Sequence, residues 1–306
     1  MKKTPLVSVV IPAYNAEYFI EKTLDSVIAQ TYTDYEIVVV DDGSSDNTKK
    51  VVEEYFARNK VCGQCIRQPN KKIAGARNTG IRAAQGLWIA LLDHDDLWHN
   101  EKLERVMSVL NRRPDIDLLC HNEHICKNGV VVRVTQNYRK GYTKFEELLF
   151  KGNSLSPSAV VLRKNLFEIA GGFDEDPDLN TVEDYDFWLR VSRVAKIRYL
   201  NEELGSYVLV KSAASNRILY HHRNLGIMLE RHLKEYHKGH CGLLGRLRAK
   251  KKVASVYRSA LVGLLAQRIE PEAQERIAKE MIKTCIWDSK NIIRYLEWKM
   301  FATTIK

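Results

Sequence analysis

Apolar residues along the first third of the chain come in short runs that stop abruptly in polar ones. Leu6-Val7-Ser8-Val9-Val10-Ile11, Glu36-Ile37-Val38-Val39-Val40 and Leu87-Trp88-Ile89-Ala90-Leu91-Leu92 are almost unbroken, a pattern that suits strands buried on both faces. Between them the spacing changes. Phe19, Ile20, Leu24, Val27 and Ile28 predict a helix over roughly 17–30, and Val51, Val52, Tyr55 and Phe56 predict another from about Asn47. A weaker strand near 61–67, a Gly75-to-Gly80 loop and a helix ending near Gln85 complete three strand–helix units that feed the strand at 87–92. This alternation predicts an α/β fold built on a doubly wound, mostly parallel sheet.

Further along, a helix is expected over 100–110, a strand at 117–120, and a hairpin at Asn128-Gly129, whose residues accept the left-handed conformation a tight turn needs. A strand at 158–162 leads to a Gly171-Gly172 turn. A helix follows from Thr181, which could cap it, and then strands at 197–200 and 205–210. From Arg217 onward the pattern is helical, so the chain of 306 residues divides into an α/β domain over 1–215 and a helical region over 216–306.

The strands end in chemistry. Pro12-Ala13-Tyr14-Asn15 follows the first, Asp41-Asp42-Gly43-Ser44 the second, and Asp93-His94-Asp95-Asp96 the last. Ligands of open parallel sheets bind beyond the carboxyl ends of the strands, so these residues stand where a ligand would. Crowded carboxylates repel one another, and a divalent cation relieves that repulsion. Asp95 and Asp93 are therefore the candidate metal ligands, for Mg²⁺ or Mn²⁺ with a diphosphate completing the octahedron. A turn-forming role for Asp41 and Asp42, or a capping role for Asp93 and Asp95, is the plainer alternative. His94 and His99 fit a supporting role better, because the expected cation prefers oxygen.

Composition adds a charge and excludes little else. The net charge of +10 points to an anionic partner. Its densest part, Arg246 to Lys252, lies beside Leu243, Leu244 and Leu247, which allows the tail to contact an anionic membrane. The C-terminal helices could equally carry homo-oligomer contacts. No nucleic-acid motif accompanies the basic cluster, so nucleic acid is not an expected partner. No run approaches the roughly 20 apolar residues of a membrane span, and the expected location is the cytoplasm, with peripheral contact on the cytoplasmic face of the inner membrane. The six cysteines are scattered, and Cys62-Gly63-Gln64-Cys65 lacks the second pair or histidine that would complete a zinc site.

Five stretches in order, Ser8 to Asn15, Val39 to Asp46, Ala76 to Gly80, Leu92 to Asp96 and Glu183 to Asp186, resemble the signature of glycosyltransferase family 2. The resemblance covers about 5–210. It implies a GT-A fold, a Rossmann-like mixed sheet flanked by helices, here with a C-terminal helical extension. It also implies a UDP-sugar or other nucleotide-diphosphate sugar donor, a divalent cation, and transfer with inversion. In these terms the base lies against Pro12, Ala13, Tyr14 and Asn15, while Asp41 and Asp42 take base and ribose. Arg77 reaches phosphates or sugar, Asp93 holds hydroxyls and Asp95 the cation. Asp184 is the base that deprotonates the acceptor, with Glu183 positioning it. Trp188, four residues on, and Asp186 are candidates for the acceptor subsite. One departure is that Val210 occupies the position of a family histidine, which leaves Lys211 or water to complete the phosphate and metal contacts.

The expected function is therefore transfer of a hexose or N-acetylhexosamine to a glycan or lipid-linked saccharide, as in bacterial polysaccharide biosynthesis. A sugar-nucleotide pyrophosphorylase would need a glycine-rich basic loop after its first strand, and Ala13-Tyr14-Asn15-Ala16-Glu17 is not one. A catalytically dead glycan-binding scaffold would have no need to keep Asp93, Asp95 and Asp184 together.

Overall fold

The computed structural model describes residues 4–135, 144–209, 218–239, 242–267 and 271–304. Two compact units emerge: one comprises Met1–Leu148, Gly152–Asp176 and Glu183–Ala213, the other Leu149–Lys151, Pro177–Val182 and Ala214–Lys306.

The first unit is built on one mixed sheet. β1 (Val7–Ala13) lies between β2 (Tyr35–Asp41) and β4 (Trp88–Leu91), and β3 (Gly63–Arg67) adds to β2, all parallel. Helices α1 (Ile20–Ile28), α2 (Thr48–Asn59) and α3 (Lys72–Ala83) make the connections. Every residue of β1 is buried, as its apolar run requires, and Val9, Ile11, Ile37, Val39 and Ala90 enter one continuous core with Leu24 and Val27 of α1. Burying such side chains is worth about 1.5–3 kcal/mol each.

Beyond β4 the sheet turns mixed. After the two-residue β5 (Leu97–Trp98) and helix α4 (Lys102–Arg112) come β6 (Leu118–Lys127) and β7 (Val130–Val134), an antiparallel hairpin. Its turn residues Asn128 and Gly129 both have positive φ, 51° and 78°. Helix α5 (Phe145–Lys151) precedes β8 (Val160–Arg163), which runs antiparallel to both β4 and β6. Then follow α6 (Asn165–Ile169), α7 (Glu183–Val191) and β9 (Ile197–Val208), which pairs parallel to β6 and antiparallel to β5.

Two expectations for this unit need correcting. The segment from Gly75 to Gly80 is not a loop but the middle of α3. Gly80 is there for packing: a Cβ on it would lie 2.4 Å from Val10 Cγ1, so glycine lets the helix settle on the sheet. The strands expected at 197–200 and 205–210 are one, because β9 bends past irregular register at His121–His124 of β6 without leaving the sheet.

The second unit is helical: α8 (Ile218–Gly239), α9 (Leu243–Gln267), α10 (Pro271–Thr284) and α11 (Ser289–Thr304). Leu261 and Leu264 of α9, Ile277 and Met281 of α10 and Trp298 of α11 form its core. Thr181, in this unit, does not cap a helix; its hydroxyl is hydrogen bonded to His221 Nδ1 at 3.1 Å. Among the described residues no helix is long and apolar enough to cross a membrane.

Candidate active site

Because β1, β2 and β4 are parallel neighbours, the loops after them emerge at one edge of the sheet. They are bound to each other. The Asn15 backbone N–H donates to Ser44 Oγ at 3.0 Å, and Asn15 Oδ1 accepts from the Ser45 N–H at 2.9 Å. His94 Nδ1 lies 3.1 Å from the Pro12 carbonyl, in the arrangement of a ring N–H donor. Tyr14 is 47% exposed at this edge, so an aromatic face is open to a ligand.

The second loop is stiff. Asp41 Oδ1 accepts the Ser44 N–H at 3.0 Å, and Arg67 Nη1 lies 3.2 Å from Asp41 Oδ2. Asp42 Oδ1 accepts from Gln68 Nε2 at 2.7 Å and from the Lys71 N–H at 2.8 Å. Gly43, at φ 74°, closes the turn, and a Cβ there would come 2.9 Å from the Asn70 backbone nitrogen. Both aspartates thus hold the loop's shape.

The third loop is clamped from three sides. Thr23 Oγ1 donates to the carbonyls of His94 and Asp96 at 2.8 and 3.0 Å. The Asp93 N–H donates to Ser158 Oγ at 3.1 Å, and Ser158 Oγ in turn donates to Asp96 Oδ2 at 2.6 Å. Asp96 Oδ1 accepts the Val208 N–H at 2.9 Å. Asp96 is therefore a buried strut, and burial, then Glu123 and its acidic neighbours, push its carboxyl well above the usual range. Asp95 is different. It is half-buried, burial and then Asp93 raise its carboxyl, and among the described residues no side chain bonds to it.

Arg77 joins this loop to α7. Only 2% exposed, it donates from Nη2 to Asp93 Oδ1 and from Nη1 to Glu183 Oε1, both at 2.8 Å, with its guanidinium 5.4 Å from the Phe173 ring. Burial works against its charge, but Asp93 and Glu183 hold its pKa above the usual value. Burial raises the Glu183 carboxyl, and Arg77 opposes that rise. The neighbouring Asp184, half-buried, accepts from Asn153 Nδ2 at 3.1 Å and from the Tyr185 N–H at 2.7 Å. Desolvation first and Glu183 second push its carboxyl up to about 7. A carboxylate poised there suits a general base at neutral pH.

The model of Glycosyl transferase family 2 matches residues 8–169, more than half of the chain. The chain belongs to glycosyl transferase family 2. It is 31% identical over 214 residues to an uncharacterized glycosyltransferase of Rickettsia prowazekii, covering 68% of this chain and 64% of that one. Over 197 residues it is 34% identical to the Escherichia coli UDP-Glc:alpha-D-GlcNAc-diphosphoundecaprenol beta-1,3-glucosyltransferase WfgD, covering 64% of this chain and 73% of the relative. It is 29% identical over 259 residues to an Escherichia coli chondroitin synthase, of which it spans only 34%. The chain thus spans less than two thirds of the length of two of these three relatives. In fold it is similar to the GT-A enzyme TarS of S. aureus in complex with UDP-GlcNAc (TM-score 0.62, 19% identity, 94% of this chain and 89% of that one). It is also similar to the mannosyltransferase PcManGT of Pyrobaculum calidifontis in complex with GDP-Man and Mn²⁺ (TM-score 0.61, 19% identity, 100% and 87%).

As a family 2 site, the cluster departs from the sequence expectation in three places. Arg77 is spent on two carboxylates, so it acts inside the protein and does not present an open fork to phosphate. Trp188 is fully buried against Phe173 and Phe187 and has no face to offer a sugar. Asp186 is buried too, with Oδ2 held by Arg190 Nε and Nη2 at 2.9 and 2.7 Å, so neither belongs to an acceptor subsite. Val210 and Lys211 lie outside the described residues.

Ser158 and Asn153 belong to the site although no motif marks them; both precede β8, which tertiary pairing alone brings beside β4. Below them lies a buried polar layer. Lys102 Nζ sits 3.2 Å from the Trp98 ring centroid and 3.3 Å from the Ser158 carbonyl. Burial holds its pKa well below the usual value, and burial likewise lifts the carboxyl of nearby Glu123 to about 7.

Proposed function

We propose that this chain transfers a hexose or N-acetylhexosamine from a nucleotide-diphosphate donor, a UDP-sugar, to a saccharide or lipid-linked saccharide, with inversion at the anomeric carbon. The observation that carries the reading is the pair of hydrogen bonds from Arg77 to Asp93 and Glu183, which brings the acid loop and the Glu183-Asp184 pair to one site. A leaving-group end and a base end side by side are what a direct displacement needs. Membership of family 2, the WfgD similarity and two GT-A neighbours with nucleotide sugars support it.

On this reading the nucleotide base stacks near Tyr14, against the backbone of Pro12, Ala13 and Asn15, and Asp41 and Asp42 shape the wall that meets base and ribose. Asp93 meets donor hydroxyls. Asp95 and Asp93 can offer carboxylate oxygens to a divalent cation, with no group of three His, Cys, Asp or Glu side chains there among the described residues, so that a diphosphate would complete the shell. Asp95 has no side-chain partner among them, and burial first and Asp93 after it raise its carboxyl, a cost that a bound ion relieves. Asp95, with Asp93, would hold Mg²⁺ or Mn²⁺, whose chemistry is to stabilise charge on the departing diphosphate. Asp184 takes the acceptor hydroxyl's proton on Oδ1 or Oδ2 as that oxygen attacks, and Asn153 and the Tyr185 N–H orient it. Glu183, fixed by Arg77, positions Asp184. The catalytic domain on this proposal is 1–215 and the helical region 216–306 serves membrane, partner or oligomer contact.

The test is donor binding followed by turnover. A UDP-sugar with Mn²⁺ should raise the melting temperature, because a ligand that binds only the native state stabilises it, and the same sugar should be transferred or hydrolysed. No stabilisation by any UDP-, GDP- or dTDP-sugar would overturn the reading.

A further inference from the structure

Helix α11 has two apolar faces where a bundle helix needs one. Tyr295 and Trp298 point into the helical core with Leu261, Leu264 and Met281. At 100° per residue, Ile292, Ile293, Leu296 and Met300 fall on an arc nearly opposite Trp298. Those four are 40, 56, 53 and 64% exposed. Ile286 and Trp287, in the turn before the helix, are 60 and 53% exposed. Isolated exposed apolar residues mean nothing, but a contiguous stripe marks a contact surface.

The charges around the stripe select what covers it. α9 carries Arg246, Arg248, Lys250, Lys251, Lys252 and Arg258 and no acidic residue. Lys250 Nζ lies 5.9 Å from the Trp287 ring, and Lys251 and Arg258 reach Asp288, so this basic helix runs beside the turn. On α11 itself Lys299 flanks one edge of the stripe, and Lys290 flanks the other together with Glu297, whose charge is paired with Arg294 at 2.8 Å. Helix α11, 16 residues, is about 24 Å long, and the stripe occupies only part of it. At roughly one helix width it offers far less than the ~800 Å² per partner of a stable interface. An apolar strip with an aromatic at one end and lysines along its edges matches the boundary between anionic headgroups and acyl chains.

We propose that the outward stripe of α11, with Ile286 and Trp287, is a docking surface for an anionic phospholipid bilayer, the exposed Lys250 and Lys251 of α9 and Lys290 and Lys299 of α11 meeting the headgroups. The apolar contact is thereby assigned to α11, whereas the sequence pattern points to Leu243, Leu244 and Leu247. Of these, Leu243 and Leu244 are exposed at the start of α9, while Leu247 is half-buried. The proposal stands apart from the transfer chemistry, which donor-induced stabilisation tests separately.

Sedimentation of the full chain with vesicles decides it. Phosphatidylcholine–phosphatidylglycerol vesicles should bind the chain at least tenfold better than phosphatidylcholine alone. Ile293→Glu with Leu296→Glu should lower that binding at least tenfold while leaving the melting temperature and UDP-sugar stabilisation unchanged. Lys290→Glu with Lys299→Glu should abolish the preference for anionic lipid. Equal binding to both vesicle types, or undiminished binding by the stripe variant, would overturn the proposal. So would light scattering that finds a wild-type dimer and a monomeric stripe variant, which would assign the face to self-association.

Discussion

Arg77 of α3 and Glu183 of α7, 106 residues apart in sequence, are joined by a 2.8 Å hydrogen bond inside the protein, and the other arm of the same guanidinium holds Asp93. The carboxylates could not be buried so close without the cation between them. Arg77→Ala leaves Glu183 uncompensated, and we expect a loss of about 3–5 kcal/mol in denaturant unfolding, as for other broken buried pairs. Arg77→Lys restores the charge but cannot span both partners. It should recover most of the stability and little of kcat/KM. A fully active lysine variant would show that the two-armed geometry is dispensable.

Asp184, with its carboxyl pushed up to about 7, ties rate and stability to the same range of pH. Unfolded, the group has a pKa of about 4, so between about 4 and 7 the native state holds a proton that the unfolded chain has released. Its contribution to stability therefore falls as pH rises across that window, while the base form accumulates towards its top. The profile of kcat/KM should have a rising limb near pH 7. Asp184→Asn should remove the limb and cut turnover by roughly 10²–10⁴ with donor binding intact. Donor-bound turnover that is flat from pH 5 to 8 in the wild type would move the base elsewhere.

Much of this site is legible in the chain because the strands β1, β2 and β4 are buried on both faces, so their apolar runs end where the sheet ends and the loop residues declare themselves. The rest is hidden for physical reasons. Gly75 and Gly80 look like turn signals, yet Gly80 serves the close approach of α3 to Val10, which makes Arg77 a helical residue aimed inward. Spacing places Trp188 one turn after Asp184, but it cannot say which side of α7 faces solvent. Nearly the whole helix is buried, including Glu183, Tyr185 and Phe187, so no polar face reveals the answer.

Asp95 separates a cation site from a merely crowded loop. Asp96 beside it is fully engaged by Ser158 and Val208, whereas Asp95 has no side-chain partner among the described residues. Asp95→Ala should abolish both the Mn²⁺-dependent part of donor stabilisation and turnover, leaving the unliganded melting temperature within about 0.5 kcal/mol equivalent of the wild type. Chelation should do the same to the wild type. Activity that survives chelation and the alanine variant alike would exclude this metal role.

Trp188, fully buried, gives the opposite expectation to an acceptor-stacking residue. Trp188→Ala should cost about 3–5 kcal/mol through the cavity it leaves between Phe173 and Phe187. Trp188→Phe keeps most of the volume and should leave acceptor KM unchanged. A raised acceptor KM at unchanged stability in the phenylalanine variant would return Trp188 to the acceptor subsite.

Asn153 is the test of how the base is tuned. Its Nδ2 donates 3.1 Å to Asp184 Oδ2, a bond that favours the ionised form and so works against the desolvation that raises the group. Removing it in Asn153→Ala should shift the rising limb of kcat/KM to higher pH, by up to about one unit given that hydrogen bonds to charged groups are worth ~1.5–3 kcal/mol and this one is partly exposed to water. Asn153→Asp adds a like charge at the same distance and should shift it further. Donor KM should stay constant in both, since the contact lies on the base side and not with Asp93 and Asp95. A pH profile that does not move in either variant would mean that Asn153 orients the loop without touching the ionisation of Asp184.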